Sequence, residues 1–83
     1  MYNFIMPTVL KIGKYRFFFF SNEGNESEHI HVESDENYAK FWLDPINLAK
    51  SIGYNAKELN EIRKLIVENI DILKVKWNEY FNL

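Results

Sequence analysis

The chain predicts an α+β domain: a small, mainly antiparallel sheet of four or five strands, with a C-terminal helix, continuous or broken near Asn69, packed on one face. Three observations predict it. Residues 8–20 and 29–43 alternate β-branched or aromatic residues with polar ones around short turns. Residues 55–80 carry apolar residues at helical spacing behind a capping signature. With 83 residues, 47% hydrophobic and 17% aromatic, one domain (1–83) buries its core by using large rings in few layers.

The elements follow in order. A start at Met6, directly before Pro7, would make residues 1–5 a dispensable extension. Pro7 to Ile12 and Tyr15 to Phe20 read as strands around Gly13-Lys14, where glycine supplies the positive φ of a two-residue hairpin turn. Pairing Ile12 with Tyr15 sets Lys11 opposite Arg16, Leu10 opposite Phe17 and Val9 opposite Phe18. Leu10, Ile12, Tyr15, Phe17 and Phe19 then face the core, and Val9, Lys11, Arg16, Phe18 and Phe20 the other side.

Ser21 to Glu28, SNEGNESE, reads as a polar connector that crosses the surface and contributes no core. His29 to Glu33 and Tyr38 to Leu43 alternate around SDEN and form a second hairpin, pairing Glu33 with Tyr38, His31 with Lys40 and His29 with Trp42. Those six share a face. Ile30, Val32, Ala39, Phe41 and Leu43 form the apolar face opposite.

After Asp44-Pro45, Ile46 to Ile52 suits a fifth, edge strand with Ile46, Leu48, Lys50 and Ile52 on one side, although a short helical turn is also compatible with it. Gly53 leads into the helix, with Asn55 as N-cap, Glu58 closing the capping box, and Tyr54 with Leu59 as hydrophobic staple. Leu59, Ile62, Ile66, Ile70, Leu73, Trp77 and Tyr80 form the stripe that covers the sheet. An unbroken helix over 56–80 would span roughly 37 Å against about 20 Å for a six-residue strand, so it either breaks near Asn69 or overhangs.

Composition narrows the function classes. The absence of cysteine excludes disulfides and thiolate metal sites and fits a reducing cytoplasm. No segment reads as a signal peptide or a membrane span, so the expected location is cytoplasmic, with no membrane partner. A net charge of −2 argues against bulk attraction to nucleic acid but not against a local basic patch.

The runs MPTVLKIGKYRFFFFSNEGNESEHIHVE, AKFWLDPINLAKSIGY and AKELNEIRKL resemble the small bacterial family known as domain of unknown function 4160, from Met6 to about Phe81. Members typically carry two prolines before the first histidine; Ser27 and Glu28 stand there in this chain, which loosens the entry to the strand. The family carries no established activity. Its genes often lie beside another small protein in arrangements resembling toxin and antitoxin pairs, which implies a partner protein encoded nearby and RNA as a further target.

The polar sheet face is the expected working surface. Lys11, Arg16, Phe18, Phe20, His29, His31, Glu33, Tyr38, Lys40 and Trp42 mix cations with rings, as single-stranded nucleic acid requires, and Lys11, Phe18, Tyr38 and Trp42 are the candidate contacts for nucleic acid or a partner. His29 and His31, two apart on a strand, could serve as general base and acid for metal-independent RNA cleavage, with Arg16 or Lys40 stabilising negative charge. A two-histidine, one-carboxylate metal set of His29, His31 and Glu33 is the competing reading, opposed by Lys40 across from His31; no metal and no cofactor is therefore expected. The plainer alternative is a noncatalytic protein-interaction domain that dimerises through this face, or simply a solvated face, which antiparallel sheets commonly have.

Overall fold

The computed structural model describes residues 8–81. Five strands, β1 (Thr8–Ile12), β2 (Tyr15–Phe18), β3 (His29–Ser34), β4 (Asn37–Leu43) and β5 (Ile46–Ile52), form one antiparallel sheet in the order β1-β2-β3-β4-β5. Two helices follow, α1 (Ala56–Glu68) and α2 (Ile70–Phe81). Pro7 and the proposed dispensable segment 1–5 lie outside the described residues.

The hairpin pairings follow the alternation. Leu10 opposes Phe17, Lys11 opposes Arg16 and Ile12 opposes Tyr15. In the second hairpin His29 meets Trp42, His31 meets Lys40 and Glu33 meets Tyr38, while Ser34 opposes Asn37 across the turn. That turn is tighter than the four residues SDEN suggest: Asp35 takes φ 51°, a left-handed conformation that Asp tolerates better than most side chains.

Both edge strands depart from simple alternation, because each carries a bulge. In β1 it is Thr8, not Val9, that opposes Phe18, and Val9 packs against the core instead of lying on the polar face. In β5 Lys50 opposes Lys40 but Leu48 opposes Phe41, so Ala49 is the extra residue. An inserted residue inverts the side-chain alternation beyond it. Ile46 and Leu48 therefore share the core face, whereas Lys50 and Ile52 fall on the polar face beside Lys40 and Tyr38. The expected single row of Ile46, Leu48, Lys50 and Ile52 is split in two.

The core lies between the sheet and the helices. Tyr15, Phe17, Phe19, Ile30, Val32, Ala39, Phe41 and Leu43 meet Ile62, Ile66, Leu73 and Trp77, all buried. Tyr54 enters the same core and its hydroxyl hydrogen-bonds Ser34 Oγ at 2.8 Å, which satisfies both buried oxygens. Asn55 caps α1 as expected: its Oδ1 accepts from the Glu58 backbone N–H at 2.8 Å and Glu58 Oε1 accepts from the Asn55 N–H at 3.1 Å. Gly53 has φ 91°, and a Cβ there would run into the Asn37 side chain, so the turn into α1 requires glycine.

The long helix breaks instead of overhanging. Asn69 caps α1 with its backbone N–H shared between the Leu65 and Ile66 carbonyls, and its side-chain Nδ2 donates to Leu65 O at 2.8 Å. The Asn69 carbonyl in turn accepts from Leu73 N–H at 3.0 Å, so the same residue closes one helix and opens the next. The bend returns Leu73 and Trp77 to the core, while Tyr80 at the end of the stripe is left exposed.

Candidate functional site

Strand alternation alone brings His29 and His31 to one face of the central strand. What surrounds them comes from the 19–28 segment, which does not pass over the surface as a simple connector. It folds back over the sheet. A Cβ at Gly24 would sit 2.7 Å from the Phe81 ring, so a residue without a side chain allows the segment to seat against the end of α2. The Glu28 carbonyl extends the sheet by accepting from Leu43 N–H at 3.0 Å. Ser27 and Glu28, in place of the two prolines, thus still hold the entry to β3 in place.

This fold-back delivers Glu23. Its Oε1 lies 2.8 Å from His29 Nε2 and 2.6 Å from His31 Nε2, so one carboxylate oxygen is shared by two imidazoles. Their outer nitrogens are also engaged: His29 Nδ1–H donates to the Ser27 carbonyl at 2.8 Å, and His31 Nδ1 lies 2.7 Å from the Tyr38 hydroxyl. The two rings lean together, with centroids 5.0 Å apart. Aromatic walls close the site: Phe20 lies edge-on to His31 at 4.4 Å, Phe18 and Tyr38 stack on it at 5.4 and 5.8 Å, and Trp77 lies 4.9 Å from His29.

Burial decides what this arrangement can do. His29 is 0% exposed and His31 1%, whereas an acid and base acting on RNA must reach the substrate. Burial also pushes the His31 pKa down, its bond to Glu23 opposes that fall, and the neighbouring His29 and Lys40 add to it. For Glu23, burial alone would raise the pKa, but its bonds to His29 and His31 win and hold the carboxyl below its ordinary value. Burial and the charges of Glu23 and Glu26 raise the Tyr38 phenol. The site accordingly pairs an ionised carboxylate with a His31 that resists protonation.

The other expected site residues divide. Arg16 bonds Glu33 at 2.8 Å and Thr8 at 2.7 Å, and its guanidinium lies 4.5 Å from the Phe18 ring centroid. Glu33 therefore belongs to Arg16, and Glu23 is the carboxylate that meets the imidazoles. Lys40 bonds Glu26 at 3.0 Å and lies over the Trp42 ring at 4.5 Å. Lys11 is exposed and reaches back to the Gly13 carbonyl in its own turn. Phe18, expected as a contact surface, is 2% exposed and packs under the loop against Phe20 and His31. Tyr38 and Trp42 remain part-exposed.

The sequence profile described as "Domain of unknown function (DUF4160)" matches residues 15–78, most of the chain. The chain belongs to the DUF4160 family. No curated protein and no solved structure gives a significant match to it. In this DUF4160 member the residue that sequence reasoning missed is Glu23, together with Glu26 on Lys40. The available signal was weak: one acidic residue, six positions before His29 and eight before His31, in a loop long enough to turn back. Among the described residues no helix is long and apolar enough to cross a membrane.

Proposed function

We propose that this DUF4160 chain is a noncatalytic binding component of a two-protein module of the toxin and antitoxin type, and that it engages its partner protein through the β4–β5 half of the polar sheet face. One observation carries this reading. The histidines are closed off, while the adjoining half of the same face stays accessible and brings Tyr38, Lys40 and Trp42 of β4 alongside Ile52, Lys50 and Asn47 of β5.

That surface has the composition of a protein contact, with rings and an aliphatic group around a cation. Ile52 is 54% exposed. Lys50 is exposed, lies directly opposite Lys40, and among the described residues has no carboxylate bonded to it. Glu26 offsets the Lys40 charge, so Lys50 is the cation of this pair that a partner carboxylate would meet. The fitting partner segment is therefore apolar with an acidic residue.

RNA is the weaker reading because two of the four cations of this face are already engaged, Arg16 with Glu33 and Lys40 with Glu26, which leaves Lys11 and Lys50 as those without a carboxylate partner among the described residues. A phosphate backbone gains its affinity from cations free to replace counterions.

Co-expression with the protein encoded next to it tests the reading. The expected result is a stoichiometric complex weakened at least tenfold by Lys50→Glu or Trp42→Ala, with both variants folded by circular dichroism. A complex indifferent to both substitutions overturns the assigned face. Growth arrest on expression of the chain alone, abolished by His31→Ala and accompanied by RNA cleavage, would instead restore the catalytic reading, and tight salt-dependent binding of single-stranded RNA through Lys50 and Trp42 would favour the nucleic-acid one.

A further inference from the structure

His29 and His31 are the two histidines of a chain without cysteine, so any site for a zinc-class metal has to be built on this pair. We propose that Glu23, His29 and His31 form a binding site for one divalent transition-metal ion of the zinc class, which clamps the 19–28 segment onto the central strand β3.

The geometry of the donors carries the proposal. One oxygen of Glu23 and one ring nitrogen of each imidazole lie within 4.8 Å of one another, and both Nε2 atoms stand within 2.8 Å of Glu23 Oε1. The outer nitrogens are positioned as they are around metal-bound histidines, where Nδ1–H is typically tied to a backbone carbonyl, carboxylate or neighbouring polar group. Here the Ser27 carbonyl takes His29 Nδ1–H at 2.8 Å, and the Tyr38 hydroxyl lies 2.7 Å from His31 Nδ1.

Hydrogen-bond valence points the same way. With its Nδ1 proton donated to Ser27, a neutral His29 turns the lone pair of Nε2 toward Glu23 Oε1, 2.8 Å away. Two lone pairs cannot face each other at that distance without a positive centre between them or an added proton. An ion supplies that centre. Around zinc at about 2.1 Å from each donor, neighbouring ligands of a tetrahedron stand roughly 3.4 Å apart. Glu23 Oε1, now 2.6 and 2.8 Å from the nitrogens, reaches that spacing by a shift of under about 1 Å, within the reach of a three-bond side chain on a loop, and the imidazole nitrogens, within 4.8 Å of one another, close on the ion by turning about their side-chain torsions.

Lys40, the objection to a cation here, is held by Glu26 at 3.0 Å, which offsets its charge. Glu23, at 16% side-chain exposure, is the member of the set that solvent reaches, so the ion enters and takes its water ligand on the loop side. The Glu33 set weighed from sequence is replaced by a set drawn from two elements, and such a set ties them together. The site does not depend on the partner-binding reading, since it lies under the loop and not on the β4–β5 face.

The tag-free full chain, stripped with a chelator, is titrated with Zn²⁺ by calorimetry and with Co²⁺ by absorption. One ion per chain is expected, with a visible Co²⁺ band of four- or five-coordinate form. The melting temperature should rise by roughly 10 °C at a hundredfold excess over Kd. Glu23→Gln, which keeps the shape of the side chain, should weaken binding at least tenfold. Long-range nitrogen–proton NMR on the wild-type chain gives a readout independent of whether variants fold: Zn²⁺ should shift Nε2 of both histidines and leave both Nδ1 protonated. Absence of saturable one-to-one binding, binding unchanged by Glu23→Gln, or bound Zn²⁺ with unmoved Nε2 resonances would each overturn the proposal.

Discussion

At the scale of single residues, one carboxylate does more than any other side chain to define the site. Glu23 Oε1 stands 2.8 and 2.6 Å from the inner nitrogens of both imidazoles, so removing it strips the contact that the two buried rings share. Glu23→Ala should destabilise the metal-free chain by about 2–4 kcal/mol in urea unfolding, against less than about 1 kcal/mol for the exposed Glu36→Ala. The two histidines were legible in the sequence because alternation fixes which face a strand residue occupies. Glu23 was not, since a loop has no period and its acids look alike until the chain folds back. Tyr15 gives a separate residue-scale prediction. Burial, reinforced by its bond to Glu61 at 3.0 Å, pushes the phenol up to about 12. The fold favours the protonated form, so this stabilisation is complete below pH 10, where the unfolded phenol titrates, and is lost as pH rises from there through about 12. Melting temperatures taken from pH 9 to 12 should fall in the native chain, with a shallower decline in Tyr15→Phe.

Among the elements, the caps and pairings were readable and the irregularities were not. Asn55 and Glu58 announce the start of α1 because capping needs particular side chains at a particular spacing. The break at Asn69 was one of two outcomes that length alone allowed, and the balance is tipped by a side chain that bonds the Leu65 carbonyl and competes with helix continuation. The bulges at Val9 and Ala49 left no mark in the residue pattern, since an extra residue in an edge strand has no composition of its own. Their effect is large all the same: Ile52 and Lys50 change faces, and the surface assigned to the partner exists because of it. At the turn into α1, Gly53→Ala should cost about 1–3 kcal/mol, because it adds left-handed strain to a clash with Asn37. Asn55→Ala, which removes the cap without a clash, should cost about 1 kcal/mol. Chemical denaturation of the two variants side by side checks that order.

For the whole molecule, the sheet and its covering helices place protection unevenly. Strand β3 is covered by the helices on one side and by the 19–28 segment on the other, and five of its six residues are buried. Strand β5 is an edge on which six of seven residues are exposed. Amide hydrogen exchange should accordingly be slowest in 30–33, where opening requires global unfolding, and faster by at least about a hundredfold at the free edge of β5. Were 30–33 to exchange as fast as 47–51, the loop would not be seated on the sheet as described.

The strand order β1-β2-β3-β4-β5 sets the histidine strand β3 at the centre of the sheet. It also governs how the chain finds its fold. Every ladder joins strands that are neighbours in sequence, so no pairing has to wait for a distant segment, and the widest gap to close is the ten residues between Phe18 and His29. Closing a loop of that length takes only about 10–100 ns, and mixed folds built from local pairings cross their barriers faster than sandwiches of similar size. That one gap is the segment carrying Glu23, so the largest loop-closure entropy loss along the sheet falls on the same residues that seal the histidines.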